Sequence, residues 1–392
     1  LLETIDDLDY SLSGTGLNCN NYDGLLLIRN KFSQKVDSIV IDPPYNTGND
    51  GFIYKDNFKD SSWLSFYTDR FDLGFNDLLK DDGFVINNID ENENSFLATY
   101  YKIRYKDNFI GDFIWKARSG KGGTDSQIAI QHENIFVIGK SESTLKPDIR
   151  VGKARRENLR QWGQGDSKED RETMHFPIFI DKDGEFYITD DDEKRHDDDM
   201  KIIPIKDDGT LGRWRVGRDK VKELIEKQQL QLDDSGAIIK IYRLYPEGNV
   251  TTTPVDSFIL DKGFASTGTK EIKKLFKEKV FPTTKPLELV KFLLDEVTYE
   301  KESGYILDYF AGSGTLADAI IRKNKCDYNF KYLLMEMGSY FESVLKPRIQ
   351  KVVFSNNWKD GIPQDQDGQS HAFKYHFIES YEDALNNIDF KN

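Results

Sequence analysis

The chain has 392 residues, 38% hydrophobic and 13% aromatic, which predicts a globular protein of two or three domains, or one large domain with an insertion, and excludes a disordered chain. No apolar run approaches the roughly 18 residues of a membrane helix, and two cysteines, Cys19 and Cys326, exclude a disulfide framework. A reducing cytoplasm is the expected location, and the opening Leu1-Leu2-Glu3, with no initiator Met and no basic-then-apolar leader, predicts no signal peptide and a trimmed or incomplete start. The net charge of −14 argues against indiscriminate binding to nucleic acid unless basic residues are grouped. They are grouped at Lys116, Arg118 and Lys121, at Lys153, Arg155, Arg156 and Arg160, and at Arg213, Arg215, Arg218 and Lys220; each group also fits a solvated face.

Residues 1–149 alternate short apolar strands with helical stretches, an α/β pattern. A strand is predicted at 37–41, a helix at 62–79 with Trp63, Phe66, Leu73 and Leu78 inward, and a strand at 84–89. Directly behind the first strand stands Asp42-Pro43-Pro44-Tyr45. The prolines fix φ and supply no N–H, so the carbonyls here remain acceptors. A carboxylate, free carbonyls and an aromatic face suit a flat heterocycle with an exocyclic amine: Asp42 and the Pro43 carbonyl take its two N–H bonds while Tyr45 stacks on the ring. A Pro-rich β-turn closed by a solvated Asp fits the tetrapeptide equally well.

Residues 150–280 change character to strand pairs, at 178–188 around Asp183-Gly184, at 202–216 around Asp208-Gly209, and at 231–242 around Ser235-Gly236. The acidic stretch 190–199 reads as a solvated loop with a weak metal alternative, and Asp181-Lys182-Asp183-Gly184 lacks the further ligands of a calcium loop. From 281 to 345 the α/β signal returns, with a helix at 286–296, a strand at 305–308, a helix at 316–323 and a strand at 332–335. One α/β domain in two sequence halves, interrupted by a β-rich insertion, is the simplest architecture. The tail, 346–392, is expected to pack on the domain or extend from it, with Tyr375 and Phe377 in a short strand and 381–387 helical.

The strand at 305–308 leads into Tyr309-Phe310-Ala311-Gly312-Ser313-Gly314-Thr315 and then a helix. Small residues let the backbone approach a ligand, and the first helical N–H groups favour a carboxylate or other negative group. Glu336 ends the next strand 22 residues beyond Gly314, near the ~20-residue offset at which an acidic side chain holds a ribose diol. A nucleoside-containing cofactor follows. A dinucleotide fits less well, because Ala317 stands at the third glycine position. Gly139-Lys140-Ser141 has Asn134 where a phosphate loop needs glycine, and the metalloprotease and serine-hydrolase motifs are missing.

With both constellations, the chain resembles a β-class amino DNA methyltransferase acting on adenine N6, and most of all the Mod subunits of type III restriction-modification systems. Residues 42–48, Trp63-Leu64 with Arg70, 83–90, Ile114-Trp115-Lys116, Lys285-Pro286-Leu287 and 308–315 fall in that family's order, the tail motifs Trp358-Lys359-Asp360-Gly361 and Tyr381-Glu382-Asp383-Ala384 included. The resemblance implies a Rossmann-like S-adenosylmethionine-dependent methyltransferase domain of mixed, mostly parallel sheet with an inserted β-rich target-recognition region at 150–280. It implies that Asp42, Pro43, Pro44 and Tyr45 hold a flipped base. Asp308, Phe310, Ala311, Gly312, Ser313, Gly314 and Thr315 would line the S-adenosylmethionine site, Glu336 bind the ribose, and Lys285 and Pro286 contact the methionine part. Lys116, Arg118, Arg213, Trp214 and Arg215 are taken as contacts to double-stranded DNA. A homodimer and a restriction subunit in a separate chain are the further partners it allows. Leu316 departs from a frequent second Thr, and the chain is short for a full Mod subunit. N4-cytosine methylation is the nearest rival; methylation of a glutamine amide or an RNA base, and a non-catalytic specificity module, are more distant.

Overall fold

The computed structural model describes residues 11–46, 59–120, 127–379 and 385. The chain forms two compact units, one of Leu1–Lys146 with Val255–Asn392 and one of Pro147–Pro254. The larger is organised by a nine-stranded sheet. Its strands in chain order are β1 (Gly14–Asn18), β2 (Val36–Ile41), β3 (Leu79–Ile89), β4 (Phe109–Lys116), β5 (His132–Gly139), β6 (Phe258–Ile259), β7 (Ser303–Asp308), β8 (Asn329–Glu336) and β9 (Phe373–Phe377). They lie in the order β6-β4-β5-β3-β2-β7-β8-β1-β9. Every pairing is parallel except those of β5, which runs against both β3 and β4.

The central strands are apolar because helices cover both faces of the sheet. All six residues of β2 are buried, with Val40 facing one core while Ile39 and Ile41 face the other. On the Ile39 side lie α1 (Asn21–Phe32), α2 (Asp60–Asp72) and α3 (Asn94–Arg104). On the Val40 side lie α5 (Leu287–Val297), α6 (Thr315–Lys323) and α7 (Lys346–Phe354), while α4 (Ala265–Phe276) precedes them in the chain. The helix expected at 62–79 is α2 followed by a π-helical turn, Leu73–Leu78, that runs straight into β3. A charge inside β2, Asp37, is held by Lys80 at 2.7 Å and Lys301 at 3.5 Å, so its burial is paired.

The smaller unit has its own core around Leu159, Phe176, Ile178, Trp214, Val221 and Ile241. Two expected hairpins form: Ile178–Ile180 pairs with Phe186–Tyr187, and Leu230–Asp233 with Lys240–Tyr245. The third is reduced to a single bridge, Ile205 to Leu211, because Ile202 pairs with Ile178 instead. A helix, Arg218–Glu226, was not expected. In the acidic stretch, Asp192 pairs with Arg218 and Asp190 with Lys222, and no metal-binding cluster of side chains occurs among the described residues.

One boundary needs correction. The compact insert ends at Pro254 rather than 280, because β6 pairs with β4 and the Trp115 indole donates to the Gly263 carbonyl at 2.9 Å. The segment after 345 is part of the domain: α7 packs in its core, and β9 forms the edge of the sheet beside β1. Apart from Leu385, the helix expected at 381–387 lies outside the described residues.

Candidate active site

Asp42 follows the last residue of β2, and Asp308 ends the neighbouring strand β7. From β2 the chain proceeds to β3 on one side, and from β7 to β8 on the other. Such a switch point leaves a crevice beyond the carboxyl ends of the strands. Asp90 follows β3 and Glu336 ends β8, so both reach the same edge. The reversed strand β5 brings its second residue there too: Glu133 lies level with Trp115 of β4. These ends enclose a cavity of about 320 Å³ with Asp42, Tyr45, Glu133, Lys285, Phe310 and Glu336 in its wall. A smaller one of about 100 Å³ adds Asp308 and Ala311 and shares Asp42, Lys285, Phe310 and Gly312.

The turn after β2 is held by its neighbours. Asn88 donates to the Ile41 carbonyl at 3.0 Å and the Trp63 indole to the Pro44 carbonyl at 2.8 Å. The Pro44 acceptor is therefore in use, contrary to the expectation that the carbonyls here stay free. The Tyr45 hydroxyl donates to Asp42 Oδ1 at 2.6 Å, with Glu133 Oε2 as second acceptor at 3.1 Å. Burial first, then the charges of Asp42 and Glu133, push this phenol well above the usual range. Lys285 lies against the same carboxylate, its Nζ 2.9 and 2.8 Å from the two oxygens of Asp42. Burial alone would pull its pKa down, but Asp42 and Glu133 outweigh burial and raise it, so it is an ammonium.

The other half of the cavity is the loop between β7 and α6. Gly312 at φ +50° and Gly314 at φ +78° have backbone that L side chains rarely adopt. A Cβ on Gly312 would also stand 3.3 Å from the Phe281 ring. The Gly312 N–H donates to Glu336 Oε2 at 2.9 Å and the Gly338 N–H to Oε1 at 2.8 Å, which leaves each oxygen a further lone pair. Asp308 Oδ1 accepts from the Phe310 N–H at 2.9 Å. Burial is the main force raising both carboxyls, and the charges of Asp42 and Glu336 add to it at Asp308. Below the loop, the buried Arg348 donates to Thr315 Oγ1 at 2.8 Å and Ser313 Oγ at 3.1 Å, and pairs with Asp318 at 3.0 Å.

S-adenosylmethionine fits these residues. Glu336 offers acceptors for a diol, and Phe281, Phe310 and Tyr340 give aromatic walls, with Phe281 edge-on to Tyr340 at 5.0 Å. The acidic side chains of the walls, Asp42, Asp90, Glu133 and Glu336 in the larger cavity and Asp308 in the smaller, suit a cationic sulfonium and disfavour a polyphosphate.

The structure gathers Asp42, Pro43, Pro44, Tyr45, Lys285, Phe310, Gly312 and Glu336 around the larger cavity. Ser313 and Thr315 turn their hydroxyls to Arg348, and Gly314 caps α6. Pro286 stands at the start of α5, where its fixed φ suits the helix, and lines neither cavity. Arg118 reaches the cavity wall, whereas Lys116 is exposed at the end of β4. Of the DNA contacts expected of Arg213, Trp214 and Arg215, that of Trp214 is corrected, whereas Arg213 and Arg215 stay half-buried. Trp214 is 2% exposed with its indole on the Phe176 carbonyl at 2.8 Å, and Arg213 and Arg215 are bound to Trp214 O and to Glu157. Thr47, Gly48 and Lys121 lie outside the described residues. Glu133, Phe281 and Arg348 were not foreseen, since each acts through a neighbour brought from elsewhere in the chain.

The sequence profile of the DNA methylase family (N6_N4_Mtase) matches residues 36–347. The Mod subunit of the type III restriction-modification enzyme EcoPI of Escherichia phage P1 is 29% identical over 357 residues, 79% of this chain and 55% of that protein. Type II methyltransferase M.KpnI of Klebsiella pneumoniae is 31% identical over 328 residues, 77% of this chain and 75% of that protein. Among solved structures, the cytosine-N4-specific PvuII DNA methyltransferase matches at 12% identity and a TM-score of 0.46, covering 89% of this chain and 90% of that one. The chain spans about half the length of the type III relatives that it matches. With its proline turn and its glycine loop both inside the matched span, the chain belongs to the N6/N4 DNA methylase family.

Proposed function

We propose that the protein transfers a methyl group from S-adenosylmethionine to the N6 amine of a flipped adenine in double-stranded DNA, in the cytoplasm, within a restriction-modification or related defence system. The observation that carries this reading is that the Asp42 and Glu336 carboxyl groups face one cavity from the ends of β2 and β8, the two strands that flank β7. Bound S-adenosylmethionine supplies an electrophilic methyl group on a sulfonium. The chain's own work is to make a poor nucleophile reactive. The adenine amine shares its lone pair with the ring, and attack turns it tetrahedral and cationic. Asp42 accepts its N–H bonds and stabilises the growing charge, and the stiff Pro43-Pro44 turn fixes the direction of approach. Tyr45, held by its hydroxyl on Asp42, offers its face to the base. Flipping the base costs a few kcal/mol, which backbone contacts and stacking offset. The unit Pro147–Pro254 selects the sequence, and cleavage belongs to a restriction subunit in a separate chain; a homodimer is the working form.

The test is incubation with labelled S-adenosylmethionine and unmodified DNA, followed by mass analysis of the nucleosides. N6-methyladenine is expected; N4-methylcytosine would replace the substrate, and no methylated base would refute the reading. Asp42→Ala should lose transfer by about 100-fold or more while retaining cofactor binding.

A further inference from the structure

Lys285 occupies the place where a substrate amine has to sit. Its Nζ touches both oxygens of Asp42, hydrogen-bonds the Tyr45 hydroxyl, and stands 4.8 Å from the centre of the Tyr45 ring and 5.9 Å from that of Trp115. A carboxylate and an aromatic face around a cationic nitrogen are the surroundings that an amine needs as it becomes cationic on methylation. The lysine side chain is only 10% exposed, so its ammonium cannot simply retreat into water. A second carboxylate is already within reach. Glu133, 12% exposed, lies 3.3 Å from the same Nζ and also accepts from the Tyr45 hydroxyl.

We propose that Lys285 is an internal stand-in for the substrate amine, and that Glu133 is the positioning residue that takes over its ammonium when the amine claims Asp42. The proposal rests on the methyltransferase reading above. Because Lys285 touches both carboxylates at once, a rotation of its flexible stem releases Asp42 and the face of Tyr45 without leaving a buried charge unpaired. Without the Glu133 charge, release of Asp42 would strand the ammonium. The fraction of molecules open to the base falls, and the apparent affinity for DNA falls with it. The sign is diagnostic. Removing a negative charge from a DNA-binding cleft would by simple electrostatics tighten binding, whereas loss of the receiving carboxylate weakens it.

Steady-state methyl transfer to unmodified genomic DNA tests this with wild type, E133Q, K285M and the double variant. Lys285→Gln is run beside K285M, since it keeps a polar contact to Asp42 where methionine would leave the carboxylate bare. E133Q is expected to raise the KM for DNA about tenfold with Lys285 present and no more than about twofold once Lys285 is replaced, with E133Q itself leaving cofactor affinity unchanged in either background. An E133Q penalty of equal size in both backgrounds, or an unchanged or lower KM in E133Q alone, overturns the stand-in role and leaves the methyltransferase reading in place. Wild-type protein that methylates no DNA overturns that reading and this inference together.

Discussion

Asp90 is the group of the pocket whose charge is most open to ordinary changes of pH. Burial pushes its carboxyl up to about 7, outweighing the Asn92 main-chain and side-chain N–H groups that favour the ionised form from 3.0 and 2.8 Å. An unfolded chain releases this proton near about pH 4. Between these values the folded protein holds a proton that the unfolded one has lost, so stability falls as pH rises through the window and levels off above it, at about 1.4 kcal/mol per unit at most. Asp90→Asn, which copies the protonated form, should match wild type in thermal denaturation near pH 4 and exceed it by several degrees above pH 7. A constant difference across pH would mean that Asp90 is ionised in the folded protein throughout.

Among the elements, α7 supports the cofactor half of the site from beneath. Arg348 is 2% exposed and binds Ser313, Thr315 and Asp318 together, which ties the glycine loop to the first turn of α6. Arg348→Met leaves the Asp318 carboxylate buried beside Arg322 alone, and breaking a buried pair costs about 3–5 kcal/mol. Calorimetry should show weaker S-adenosylmethionine binding together with a lower melting temperature, and Asp318→Asn in the same chain should recover part of the stability but not the binding. Equal recovery of both would reduce Arg348 to a packing role. Elements buried on both sides were legible from sequence: β2, β7 and β8 each announce themselves as an apolar run that ends in, or is followed directly by, an acidic residue. The helix Arg218–Glu226 was not, because only Val221 and Leu224 are buried among its charged residues. β6 escaped notice as a strand of two residues, and α4 because no change of composition separates it from the hairpins before it. In the site, the proline turn and glycine loop were readable because their chemistry is local. Glu133 was not, since its place depends on which way β5 runs, and Trp214 misled because a tryptophan between two arginines looks like a DNA contact while its indole serves a core.

At the scale of the molecule, the chain divides into two compact units, and the proposed function gives sequence choice to the smaller and methyl transfer to the larger. Replacing residues 147–254 by the matching segment of a relative with a different target should change the methylated sequence while the rate at the new site stays within about tenfold of wild type. Modified-base sequencing of cellular DNA reads both, and an unchanged target site would move sequence choice to the larger unit. No described helix is long and apolar enough to cross a membrane. The large sheet also orders events in time. Strand β1, Gly14–Asn18, has its hydrogen-bonded neighbours at Asn329–Glu336 and Phe373–Phe377. A ribosome delivers β1 before either of them, so this strand waits through the synthesis of more than 300 residues with both edges bare. Bare edges invite pairing with other chains. A strand made before β2 is thus among the last of the described sheet to be enclosed, and completion of that sheet, not of the insert, ends its exposure.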